Sequence, residues 1–133
     1  MEDLIYKDES YRLAGIFYYI QNQLGNNCSE KQYQDALELK LKAEGVDYER
    51  EKELYFNMPE GKVAGNRVDF VVFDKIAIDL KAKQFITRED YKQMLRYLKS
   101  GQYRLGLVVN FRDKKVTIKR IINSDLRNIW QKK

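Results

Sequence analysis

Histidine is missing from all 133 residues, and cysteine and proline occur once each, as Cys28 and Pro59. Without histidine, a serine or cysteine nucleophile lacks its usual base and zinc lacks its commonest ligand, which leaves acid, lysine and hard-metal chemistry. A lone cysteine closes no intramolecular disulfide, so nothing calls for an oxidising compartment, and with no base beside it the Cys28 thiol is expected to be inert. Long apolar runs are also lacking: none approaches the roughly 18 residues that span a bilayer, and the opening MEDLIYKDES lacks the basic-then-apolar design of a signal peptide. These absences predict a soluble cytoplasmic protein. With 44% hydrophobic residues, no repeat and no Gly/Pro-rich linker, residues 1–133 are expected to form a single domain.

Charge is plentiful but uneven. Residues 1–74 carry 9 Lys and Arg against 15 Asp and Glu, whereas residues 75–133 carry 16 against 5. A basic surface beside a few carboxylates suits a protein that binds a polyanion around a metal; a merely solvated basic face fits the charge equally well.

The hydrophobic period predicts a helix over Asp8 to Leu24, with Leu13, Ile16, Phe17, Ile20 and Leu24 as its apolar face and Gly25 as its stop. A second helix starts at the Ser29–Gln32 capping box, continues through Tyr33, Ala36, Leu37 and Leu41, and stops at Gly45. Three strands follow in a meander: VDYEREKELYFNM, NRVDFVVF and IAIDLKA, with turns at PEGK and at Asp74-Lys75. Thr87 with Asp90 caps a third helix, whose predicted stripe is Tyr91, Met94, Leu95 and Leu98 and whose stop is Gly101. YRLGLVVNF and KVTIKRII read as further strands, and Ser124 as the cap of a short last helix reaching Trp130. The expected order is ααβββαββα.

Alternation within IAIDLKA sets Ile76, Ile78 and Leu80 on one face and Ala77, Asp79 and Lys81 on the other, so the acid and the lysine are neighbours in space. In RVDFVVF the same rule groups Val68, Phe70 and Val72, with Asp69 on the face of Arg67, Val71 and Phe73. Pairing through a turn at 74 and 75 sets Phe70 against Asp79 and Asp69 near Leu80, within a residue of register, and a bulge would bring Asp69 and Asp79 together. Two such carboxylates repel unless a cation lies between them, and oxygen ligands favour Mg²⁺ or Mn²⁺.

Taken in order, Asn27-Cys-Ser-Glu30-Lys-Gln-Tyr33, Arg67-Val-Asp69-Phe, Asp79-Leu-Lys81-Ala, Gln93-Met-Leu-Arg-Tyr97, Leu105-Gly-Leu-Val-Val-Asn-Phe111 and Ile118-Lys-Arg-Ile121 resemble the GxxExxY family, a branch of the PD-(D/E)XK nuclease superfamily. The resemblance spans roughly residues 4–122, with Asn27 in place of the first motif's glycine and Asp79 where members often carry Glu. It implies an α/β (α+β) fold: a restriction-endonuclease-like αβββαβ core with an extra N-terminal helix and a mixed central sheet flanked by helices. It also implies that Glu30, Asp69 and Asp79 hold the divalent metal, and that Lys81 orients or deprotonates the attacking water while offsetting charge on the phosphate. Gln93 would position water or phosphate, and Tyr97, on the same helix face, would contact nucleic acid together with Arg88, Lys92, Arg96 and Lys99.

The leading expectation is a Mg²⁺- or Mn²⁺-dependent nuclease acting on DNA, with RNA second. The alternatives are a nucleic-acid- or protein-binding module that is catalytically silent or partner-dependent, and a homo-oligomer joined through the aromatic first helix. Each residue also has a plainer role available: Asp79–Lys81 as a structural ion pair, Glu30 as a favourable charge at a helix start, and Gln93 and Tyr97 as ordinary helix residues.

Overall fold

The computed structural model describes residues 5–124. Its elements are α1 (Lys7–Leu24), α2 (Glu30–Ala43), β1 (Tyr48–Met58), β2 (Gly61–Val72), β3 (Ile76–Lys81), α3 (Arg88–Gly101), β4 (Leu105–Asn110) and β5 (Thr117–Ile122). Both expected capping boxes are formed, at Ser29–Gln32 and at Thr87–Asp90. The helix expected from Ser124 to Trp130 falls outside the described residues apart from Ser124 itself.

The strands form one mixed sheet in the order β1-β2-β3-β4-β5. Only β3 and β4 run parallel, because only they are joined by a helical crossover, α3. Every residue of β4 is buried, as expected of a central strand covered on both faces.

Each face has its own core. On one, Leu13, Phe17, Ile20, Tyr33, Leu37 and Leu41 of α1 and α2 pack on Phe70, Val72, Ile76, Ile78 and Leu80. On the other, Met94, Tyr97 and Leu98 of α3 pack on Val71, Ala77 and Val108. Gly106 lets α3 lie this close, since a Cβ there would stand 2.4 Å from the Met94 sulfur.

The α3 stripe differs from the expected one. Tyr91 and Leu95 are exposed, and Tyr97 takes their place in the core. Gly101 is the last helical residue, not the stop; the left-handed position is Gln102, and a Cβ on Gly101 would collide with the Tyr103 ring.

Register also differs by one residue. The β2–β3 connection runs over Phe73 to Lys75, with Phe73 and Asp74 both left-handed, and pairs Val72 with Ile76 and Phe70 with Ile78. One step further along that register, Asp69 faces Asp79 with no bulge required.

Strict alternation fails at this point. Glu51 of β1, across from Asp69, has φ 53°, and pairing between β1 and β2 skips that position. Before it, Arg50 lies over Phe70 on the α2 side; beyond it, Leu54 and Val68 belong to the α3-side core. Val68 therefore does not share a core with Phe70 and Val72. The hairpin turns over at Asp69, and a left-handed non-glycine residue there is the kind of local strain that the surrounding structure must hold in place.

Candidate active site

Asp69 takes up a hydrogen bond that a regular ladder would have made through backbone: its Oδ2 accepts from Leu80 N at 2.8 Å. The β2–β3 ladder stops at Phe70–Ile78, so the side chain of Asp69 holds the two strands together where their backbones part. Asp79, only 5% exposed, lies on the α3 face of β3, and the Lys81 ammonium sits 2.8 Å from its Oδ2.

Burial and the neighbouring Asp79 carboxylate push the Asp69 carboxyl up to about 7. Lys81 moves the opposite way from what burial alone would give, because Asp79, Asp90 and Glu30 together raise it and keep it charged.

Helix α3 supplies the next contacts. Lys81 Nζ donates to Gln93 Oε1 at 3.2 Å and lies 3.7 Å from Asp90 Oδ1. Asp90 Oδ2 also pairs with Lys83 and accepts from Thr87 N, so one carboxylate caps the helix and holds two lysines. Those partners outweigh burial and keep the Asp90 carboxyl below its usual range. Tyr97 is 7% exposed and lies beneath the pair, its phenol raised by burial and by Asp79. It thus backs the site and is not presented as a surface for nucleic acid. Arg88, Lys92, Arg96 and Lys99 form an exposed stripe along the outer side of α3, as their spacing predicts.

Glu30, the first residue of α2, reaches the site from the other layer. With Lys31, Gln34, Arg50, Glu51, Arg67 and Val68 it lines a 470 Å³ groove whose wall includes Asp69. Arg50 is held there by Glu38 at 2.9 Å and Asp35 at 2.8 Å, which ties α2 to β1. Among the described residues no three acidic side chains converge on one point. The structure thus joins Asp69, Asp79, Lys81 and Gln93 and sets Glu30 across the groove. The donor set still fits a hard cation: two adjacent carboxyls, one retaining a proton near neutrality, have a place for positive charge and only oxygen to offer it.

Sequence reasoning missed Asp90 and Lys83. Asp90 looked complete as a capping residue, although its second oxygen faces Lys81; Lys83 is one alternation beyond Lys81 and could have been noticed on that ground.

A mixed sheet whose central parallel pair includes an acid-x-Lys strand, with a second acid on the adjoining strand, is the arrangement that the sequence resemblance implied. The chain belongs to the PD-(D/E)XK nuclease superfamily, whose family model matches residues 7–121. Similar solved structures include SSO0001, with TM-score 0.55 and 19% identity over 76% of this chain and 58% of that one. Another is an alkaline exonuclease from Laribacter hongkongensis, with TM-score 0.52 and 13% identity over 99% of this chain and 77% of that one. This chain therefore spans a little over half the length of SSO0001. No curated protein matches it in sequence. Among the described residues, no helix is long and apolar enough to cross a membrane.

Proposed function

We propose that this protein hydrolyses phosphodiester bonds of nucleic acid, DNA before RNA, in a Mg²⁺- or Mn²⁺-dependent reaction at Asp69, Asp79 and Lys81. The observation that carries the reading is the close Asp69–Asp79 pair beside the Lys81 ammonium, at the point where β2 and β3 part. Asp69 and Asp79, with Glu30 across the groove, would hold a divalent cation, which would supply Lewis acidity toward the phosphate and the attacking water.

The chain's own groups do the rest. Asp69 would release its proton to solvent on becoming a ligand. Lys81, held beside Asp79 and Asp90 as an ammonium, is placed to stabilise negative charge building on the phosphate. Gln93 fixes the direction of Lys81 and offers its amide to water or a phosphate oxygen. The exposed α3 stripe of Arg88, Lys92, Arg96 and Lys99 holds the flanking backbone, and binding to it weakens as salt rises.

Two observations favour a second reading, a binding module that is silent by itself: Lys81 already pairs with Asp79, and among the described residues Glu30 does not close on the pair. Cleavage of plasmid and single-stranded DNA in Mg²⁺ or Mn²⁺ separates the two. The nuclease reading expects metal-dependent products, reduced by roughly 10²–10³-fold in Lys81→Ala, the size typical of losing one charge-stabilising group. Salt-sensitive binding with no product in either metal would establish the silent module.

A further inference from the structure

Of the six phenylalanines, only Phe85 is exposed, at 69% of its surface. Among the described residues, the other strongly exposed aromatics are tyrosines, whose hydroxyl makes exposure cheap; Phe85 has no polar end. Nor does it stand on a loose segment. Two residues before it, the Asn110 side chain clamps the Lys83 backbone, accepting from Lys83 N at 3.2 Å and donating to Lys83 O at 2.7 Å. Two residues after it, Thr87 N is fixed to Asp90 Oδ2 at 2.8 Å, and Ile86 between them packs into the α3-side core. Asn110 is also the sheet partner of Lys81. An apolar ring is therefore held in water about two residues of chain, roughly 7 Å, from backbone that is fixed relative to the candidate active site.

Its surroundings are cationic. Arg88 follows three residues later, and Arg112 donates to Ala82 O at 3.4 Å from the β4–β5 loop. Among the described residues, no carboxylate forms an ion pair with either arginine. An apolar ring whose chain neighbourhood carries two arginines, Arg88 after it and Arg112 bonded to Ala82 before it, suits a base with its adjoining phosphates.

We infer that Phe85 stacks on an unpaired base, so that the substrate is single-stranded nucleic acid or a frayed end. This rests on the nuclease reading and deepens it by naming the substrate class. A base inside an intact duplex offers no free face to the ring, whereas arginines engage the phosphates of either form.

The test measures anisotropy of a labelled single strand of about 12 nucleotides, and of a blunt duplex, in Ca²⁺ at low salt. Phe85→Ala should weaken single-strand binding by about tenfold and leave duplex binding unchanged, while Arg88→Ala weakens both. Phe85→Trp in a Trp130→Phe background should restore affinity, and its emission should fall when the single strand is added. Wild-type binding to the single strand that Phe85→Ala leaves intact overturns the stacking role alone. Failure of the wild type to bind either form overturns the nucleic-acid reading with it. Intact binding together with a protein complex lost in Phe85→Ala would reassign the ring to a protein interface.

Discussion

Asp69 carries the largest electrostatic tension in the site. Its carboxyl is raised to about 7, chiefly by burial and then by Asp79, from an ordinary value near 4. The folded state therefore binds that proton more tightly than the unfolded state does, so the associated stability is full below about pH 4 and is lost as pH rises through 7. With no histidine in the chain, few other side chains titrate between pH 5 and 8. Denaturant unfolding of metal-free protein in a chelator should show stability lower at pH 8 than at pH 5 by on the order of 2–4 kcal/mol. Asp69→Asn should remove most of that slope. Equal stability at the two pH values would mean that the carboxyls do not share a confined space.

At the scale of the element, the start of α3 combines two tasks in one side chain. Asp90 completes the capping box with Thr87 and also balances Lys81 and Lys83. Two substitutions separate these. Thr87→Ala breaks the cap and should cost about 1 kcal/mol of stability, with turnover per folded molecule unchanged. Asp90→Asn keeps an oxygen for Thr87 N but removes the charge, and cleavage should fall more than about tenfold through kcat, with KM little changed. Equal turnover in the two variants would reduce Asp90 to a helix cap.

This element also marks where sequence was legible and where it was not. Both capping boxes, the order of the elements from α1 to β5 and the face shared by Asp79 and Lys81 follow from local spacing, and local spacing determines them; the place of Gln93 in the site came from the family resemblance. The register that brings Asp69 opposite Asp79 depends on Phe73 and Asp74 adopting left-handed backbone, which neither residue type advertises. Alternation misassigned Val68 because the left-handed Glu51 turns the hairpin over, an effect set by tertiary packing. Tyr91 and Leu95 fit a helical stripe as well as Tyr97 does; the angle at which α3 crosses Gly106 decides which are buried.

For the whole molecule, the uneven charge of the sequence acquires a layout. The acidic first half supplies Glu30 and Asp69, and the basic second half supplies Lys81, Lys83 and the α3 stripe, so the two meet where the layers join. The fold is that of the superfamily; the chemistry depends on whether the acids act as a ligand set. Calorimetric titration with Mn²⁺ at pH 7, run in two buffers of different ionisation heat on wild type and Asp79→Asn, tests this most directly. The account predicts binding by the wild type with a buffer-dependent heat, as Asp69 releases its proton, and loss of that binding in the variant. Equal binding by the two proteins, or none by either, would contradict it.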